Sequence, residues 1–143
     1  MVWVGSPQFE LWCEDPIPIT VYESASLAKK SAINSLALQG RRYRVVYNSS
    51  SLIGQIAAVE SGLAVAVLTQ CSAPQHLEIL GTEHGLGPLE PMEASIYRSR
   101  ASLNSKAVDH LYELLVKTID YLLRILDKCF NKKPAIFNTG NFQ

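Results

Sequence analysis

Excess charge of either sign is missing from this chain: 13 Lys and Arg stand against 13 Asp and Glu over 143 residues. That balance argues against nucleic-acid binding by these residues alone, because phosphate contacts need clustered cations. The one local basic cluster, Arg41, Arg42 and Arg44, follows Gly40 and reads as a solvated turn. Cysteine is also scarce. Cys13, Cys71 and Cys129 are scattered and odd in number, with no CxxC pair, a usage that fits a reducing cytoplasm better than a disulfide framework. Neither they nor His76, His84 and His110 fall at metal-ligand spacing, so no metal and no cofactor is expected. No apolar run is long enough to span a bilayer. The opening MVWVGSPQFELWCEDP lacks the basic stretch that begins a signal peptide, which adds to the expectation of a cytoplasmic protein with no membrane partner.

Catalytic signatures are absent as well. The chain holds no GxGxxG and no GxxxxGK[ST] to cradle a nucleotide phosphate, and no GxSxG to expose a nucleophilic serine. Ser49, Ser50 and Ser51 are nucleophiles by residue type only, with no histidine in the segments that would surround them. A serine nucleophile needs a base within hydrogen-bond reach. Cys71 follows a strand-like run, and His84 sits in the loop-like EHGLG; both read as structural. The chain is therefore not expected to be an enzyme.

Apolar residues make up 48% of the chain and charged residues 18%, enough for a soluble domain with a real core. Residues 2–4 form a short apolar strand stopped by Gly5-Ser6-Pro7, and 9–18 reads as a loop with two prolines. Residues 17–22 alternate and are β-branched, which predicts a strand. Ser24 offers an N-cap to a helix over 25–39, whose Leu27, Ala28, Ala32, Leu36 and Gln39 trace one face. Gly40 stands where a left-handed residue would end it. A strand follows at 43–47, then a helix over 51–61 that should bury Leu52, Ile56 and Val59, closed by Gly62. The near-continuous apolar run 63–68 suits a central parallel strand covered on both faces. This β-α-β-α-β order implies right-handed crossovers. Residues 72–91 read as loop, 93–98 as a strand, and Asn104 or Ser105 can cap a long helix to about Phe130. In that helix Val108, Leu111, Leu115, Ile119, Leu122, Leu126 and Cys129 step by three or four, with Leu114, Tyr121, Leu123 and Ile125 widening the stripe. Residues 131–143 are polar and read as a loose tail.

Two places on this scaffold are suited to a ligand. Ser24 and Ser26 begin the first helix, and Asn48, Ser49, Ser50 and Ser51 begin the second; each follows a strand at its carboxyl end, the edge where open α/β sheets bind ligands. Unpaired N–H groups and the helix dipole favour an anion there, although the dipole term at an exposed start is only roughly 0.3–1 kcal/mol. Useful affinity would need several converging donors and a closing wall.

The residues that carry this pattern also carry a resemblance. The run IPITVY at 17–22, GRRYRVVYNSSSLIG at 40–54 and AAVESGLAVAVL at 57–68 resembles the effector-binding domain of LysR-type transcriptional regulators. VWVGSP at 2–7 looks like the first hinge strand, and EHGL at 83–86 and IYR at 96–98 are similar to later parts of the same domain. The likeness runs from about residue 2 to residue 115. Where the family has Gly-Leu-Gly this chain has Gly62-Leu63-Ala64, and where it has a proline after the strand this chain has Thr69-Gln70, so the second hinge should differ in shape.

The resemblance implies an α/β fold: a parallel-sheet, periplasmic-binding-protein-like (type 2) regulatory subdomain plus a C-terminal strand and long helix. It divides the chain into a second regulatory subdomain over 1–70, a return segment, strand and helix over 71–130, and a tail over 131–143. It implies a small anionic effector, such as a carboxylate, contacting Asn48, Ser49, Ser50 and Ser51 with Ser50 at the centre. Ser24 or Ser26 would face the same cleft, and Thr69 or Gln70 would lie at the hinge. DNA would be bound only through a helix-turn-helix outside this sequence, and the chain would supply one wall of the effector cleft. The wide apolar stripe of the long helix then leads to an expectation of self-association, as a homodimer or higher, or of a non-native packing of that helix on the first sheet. The rival readings are a solute-binding protein of a transporter, a small α/β enzyme, and a gene product without autonomous role.

Overall fold

A computed structural model describes residues 1–23, 26–92, 95–102, 105–130 and 138–141. The chain divides into two compact units, Met1–Met92 and Glu93–Gln143.

The first unit is built on strands β1 (Val2–Gly5), β2 (Ile17–Val21), β3 (Tyr43–Asn48), β4 (Ala66–Leu68) and β5 (Glu78–Leu80), with helices α1 (Leu27–Leu38) and α2 (Leu52–Glu60). β2 and β3 pair in parallel, with Ile17 opposite Tyr43 and Val21 opposite Asn48. A single parallel bridge joins Ile19 to Val65. There the Thr20 N–H donates to the Val65 carbonyl at 2.9 Å and the Val65 N–H to the Pro18 carbonyl at 2.9 Å. β4 therefore runs in the same direction as β2 and β3, and the carboxyl ends of all three lie at one edge. β1 then pairs antiparallel with β4 on one side and with β5 on the other, so the unit is mixed rather than wholly parallel. Ala64, Val65, Ala66, Val67 and Leu68 are all buried, as an apolar run between covered faces requires. Leu63, expected within that strand, is exposed in the turn after Gly62.

Helix ends follow local rules. Gly40 takes a left-handed φ of 63° after α1, and Gly62 a φ of 71° after α2, conformations that cost glycine little. A Cβ on Gly62 would also meet the Phe9 ring at 2.7 Å. Three expectations shift at the helix starts and faces. α1 begins at Leu27 with Ser26 as its cap, two residues later than a Ser24 cap would give; Ser24 itself lies outside the described residues. α1 buries Ser31, Ala32, Ser35 and Leu36, while Leu27 is 62% exposed. Its serines are satisfied inside: the Ser31 hydroxyl accepts the Glu90 N–H at 2.9 Å, and Ser35 accepts from Gln39. In α2 the buried side chains are Gln55, Ala58 and Val59. Leu52, expected in the core, is 38% exposed in the first turn of α2.

The segments expected to be loop contribute core. Residues 11–13 form a 3-10 turn that buries Trp12, whose ring lies where a Cβ on Gly5 would be, at 2.8 Å. Within 72–91, β5 pairs with β1, and Leu77, Leu80 and Leu86 are buried. The Trp3 indole N–H reaches the Gly87 carbonyl at 3.2 Å. The first unit consequently extends to Met92 rather than ending near residue 70.

The second unit contains β6 (Ser95–Arg98), α3 (Lys106–Phe130) and β7 (Asn138–Asn141). Ser105 caps α3, accepting the Val108 N–H at 3.4 Å; Asn104, the other candidate cap, lies outside the described residues. Arg98 pairs with Asp109 in the first turn of α3 and donates to the Ser102 carbonyl at 3.2 Å. β6 and β7 pair in parallel, Ser95 opposite Asn138 and Arg98 opposite Asn141. Part of the expected loose tail is thus a strand; residues 131–137 and 142–143 lie outside the described residues. Among the described residues no helix is long and apolar enough to cross a membrane.

Candidate functional site at the start of the second helix

β3 ends at Asn48, and its chain turns through Ser49 and Ser50 into α2. The three serines have different tasks. The Ser51 hydroxyl accepts the Gly54 N–H at 3.3 Å, as an N-cap should. The Ser49 hydroxyl accepts the Ser51 N–H at 3.1 Å and tightens the turn. Ser50 is exposed, and neither its hydroxyl nor its N–H has a hydrogen-bond partner among the described residues. The N–H groups of Leu52 and Ile53 are likewise without a partner among the described residues, as expected of a first helical turn. The Asn48 side chain is exposed. The turn thus offers outward-facing donors at a positive helix end.

Behind these donors lies a buried amide. Gln55 is 1% exposed. Its Nε2 donates to the Val21 carbonyl at 2.8 Å and to the Ser49 carbonyl at 2.7 Å. Its Oε1 accepts from the Thr20 hydroxyl, which also lies 3.3 Å from the Tyr47 carbonyl. Two carbonyls can only accept, so the amide orientation is determined by its partners. The Ser49 N–H adds a bond to the Val21 carbonyl at 3.1 Å. Gln55 and Thr20 belong to no motif in the sequence. The available signal was a lone amide within the otherwise apolar face of LIGQIAAVE, since a buried Gln must find partners for both ends. Nearby, a Cβ on Gly54 would meet the Tyr47 hydroxyl at 2.8 Å, so that phenol lies against the first turn of α2. Tyr22, just past β2, has its phenol pKa pushed up by burial.

The other expected residues are placed differently. Ser26 follows β2 at the same sheet edge, with its hydroxyl accepting the Lys29 N–H at 3.4 Å. Thr69 follows β4, also at that edge. Its hydroxyl lies 2.6 Å from that of Ser72 and 3.6 Å from the Cys71 sulfur, where it closes the 3-10 turn that holds Gln70. Of the seven serine, asparagine and threonine candidates, Asn48, Ser49, Ser50 and Ser51 form one continuous turn, Ser26 and Thr69 share only its sheet edge, and Ser24 is not described.

A cleft of about 550 Å³ lies at the opposite, amino edge of β2 and β3, lined by Trp12, Cys13, Asp15, Gly40, Arg41, Arg42 and His84. Its cations are engaged. Arg41 donates to the Trp12, Glu14 and Gly85 carbonyls, and Arg42 pairs with both Asp15 oxygens at 3.1 and 2.8 Å. The Arg42 hydrogen bond holds the Asp15 carboxyl below the usual carboxylate range. Among the described residues no three His, Cys, Asp or Glu side chains gather where they could hold a metal ion.

No family model matches the chain. Over 118 residues it is 37% identical to the HTH-type transcriptional regulator DgdR of Burkholderia cepacia, a match that covers 80% of this chain and 40% of DgdR. The chain thus spans about 40% of the length of that relative, and it is similar to a part of an HTH-type transcriptional regulator.

Proposed function

We propose that the protein is the effector-binding part of a LysR-type DNA-binding transcriptional regulator, acting without catalysis. Its first unit would be a regulatory subdomain of the periplasmic-binding-protein-like (type 2) kind. It would sense a small anionic metabolite, such as a carboxylate, at the turn of Asn48, Ser49, Ser50 and Ser51. DNA would be engaged through a helix-turn-helix outside these residues, and the work would be done in the cytoplasm. The observation that carries this reading is the 37% identity to DgdR over 118 residues. The reading is supported by the outward donors of the turn, at the edge shared by β2, β3 and β4, where an anion would be favoured.

Ser50→Ala, introduced into a full-length regulator that carries this segment, should weaken effector-dependent transcription while the protein level stays constant. An unchanged response would remove Ser50 from the site. A thermal-shift screen of this chain with small carboxylic acids should raise Tm for those that bind the folded form, since ligand binding stabilises by mass action.

The proposal includes self-association, as a homodimer or higher, through α3. Leu111, Leu114, Leu115 and Tyr121 are between 43% and 65% exposed, and the apolar spacing continues in sequence through Leu122, Leu126 and Cys129. Exposed apolar residues repeated along one helix would offer a surface for a second copy. Light scattering should give a mass above that of one chain, reduced by Leu111→Lys with Leu115→Lys. A clean monomer at high concentration would sink this part of the proposal.

A further inference from the structure

We infer that Gln55 is the positioning residue of the 48–51 turn: it orients the Ser49–Ser50 peptide so that the Ser50 N–H faces outward, and it couples that peptide to the end of β2. The inference rests on the reading of the turn as an anion seat. Its basis is the hydrogen-bond accounting around one carbonyl. Among the described residues the Ser49 carbonyl has a single hydrogen-bond partner, the Gln55 Nε2 at 2.7 Å. Ser49 C=O and Ser50 N–H belong to one peptide unit, and in a planar trans peptide the two point in opposite directions. Drawing the carbonyl inward to a 1%-exposed amide therefore aims the N–H outward. The same nitrogen donates to Val21 at 2.8 Å, and the Val21 carbonyl also accepts the Ser49 N–H at 3.1 Å. The turn and the end of β2 thus share one acceptor and one donor group. A ligand that draws on the Ser50 N–H acts on Val21 through the same amide.

An aliphatic side chain could fill the space of Gln55 but would leave the Ser49 carbonyl free to rotate toward water. The Thr20 contact acts on the other end of the amide, at Oε1. Removing that contact disturbs the same buried cluster while leaving the nitrogen and its two carbonyls in place. This separates orientation of the peptide from general support of the core.

The experiment uses the ¹⁵N-labelled full chain, titrated separately with sodium acetate and inorganic phosphate, and follows the amide signals of Ser50 and Tyr22. In the unmodified protein the Ser50 signal should shift to saturation, and Tyr22, which carries the N–H of the Val21 peptide, should follow with the same midpoint. Gln55→Leu should weaken the midpoint on the order of tenfold, the equivalent of one lost oriented hydrogen bond, and abolish the Tyr22 response. Thr20→Val should change the midpoint less than twofold. Equal midpoints for Gln55→Leu and the unmodified chain, or equal losses for Gln55→Leu and Thr20→Val, overturn the inference. If Gln55→Leu does not fold, Gln55→Asn, which keeps the amide but retracts it by one methylene, is read by the same criteria. If Ser50 responds to neither probe in the unmodified chain, the anion-seat reading fails. The orienting role is then decided by the residual dipolar coupling of the Ser50 N–H, which should change in Gln55→Leu and would refute that role if it did not.

Discussion

The two strand-to-helix junctions of the first unit look alike in sequence and differ in structure. At the first, Ser26 caps α1 through the Lys29 N–H at 3.4 Å; at the second, Ser51 caps α2 through the Gly54 N–H at 3.3 Å. The backbone entries match too, with Lys30 N–H donating to the Ser26 carbonyl at 3.2 Å and Gln55 N–H to the Ser51 carbonyl at 3.0 Å. The divergence is in the side chain four places after the cap. Lys30 is exposed, whereas Gln55 is buried and reaches back to the end of β2 and to the turn itself. A cap is enough to start a helix. An oriented set of donors needs a second anchor, because a capped turn alone leaves the preceding peptide free to rotate.

Gln55→Leu should cost roughly 2–3 kcal/mol in urea unfolding, because it removes the amide's bonds to the Val21 and Ser49 carbonyls and leaves the Thr20 hydroxyl without its amide partner. Lys30→Leu at the matching position of α1 should stay within about 0.5 kcal/mol, as exposed substitutions do. Equal costs would show that the two junctions do not differ in kind. Thr20→Val should cost roughly 1–2 kcal/mol, through the unpaired Oε1 of Gln55. Ser51→Ala and Ser26→Ala should each cost about 1 kcal/mol or less, the worth of an N-cap; a marked difference would place the asymmetry in the caps instead. Ser50→Ala should leave stability unchanged within about 0.5 kcal/mol, so any loss of ligand response belongs to the site.

The smallest effect belongs to the amino edge of the same two strands. Asp15 has a pKa lowered by its hydrogen bond to Arg42. A carboxyl with a folded pKa below its unfolded value contributes stability above the unfolded value of about 3.9, and that contribution is lost as pH falls through the folded pKa. Asp15 and Arg42 are both largely in water, so Asp15→Asn should only slightly flatten the acid limb of a Tm-against-pH curve. A large change would mean that the amino edge is as tightly anchored as the carboxyl edge.

Short-range features of the fold were legible. The strand expected at 43–47 is Tyr43–Asn48, and the helix expected at 51–61 is Leu52–Glu60. Gly40 and Gly62 end the helices they were expected to end. Each depends on neighbours a few residues away: β-branching, a serine cap, or the conformational freedom of glycine. Other features depended on distant partners. The burial of Trp12 needs the space over Gly5, and the burial of Leu80 and Leu86 needs β1 and α1 to be in place. Leu27 and Leu52 lie in line with buried residues of their helices, four before Ser31 and three before Gln55, yet they stand in the first turn of each helix and are exposed. The antiparallel seating of β1 between β4 and β5 has no counterpart in local pattern, because strand direction is a property of the pair.

Local patterns in the amino-acid sequence settled where α1 and α2 stop, where the buried apolar run lies, and that the 48–51 turn opens a helix at the end of a strand. Tertiary structure alone decided which serine presents its hydroxyl outward, and which side chain holds the turn in place. The reason is separation along the chain. Gln55 meets Thr20 and Val21 across 35 and 34 residues, and only the packing of α2 against β2 brings that amide to the carbonyls it orients.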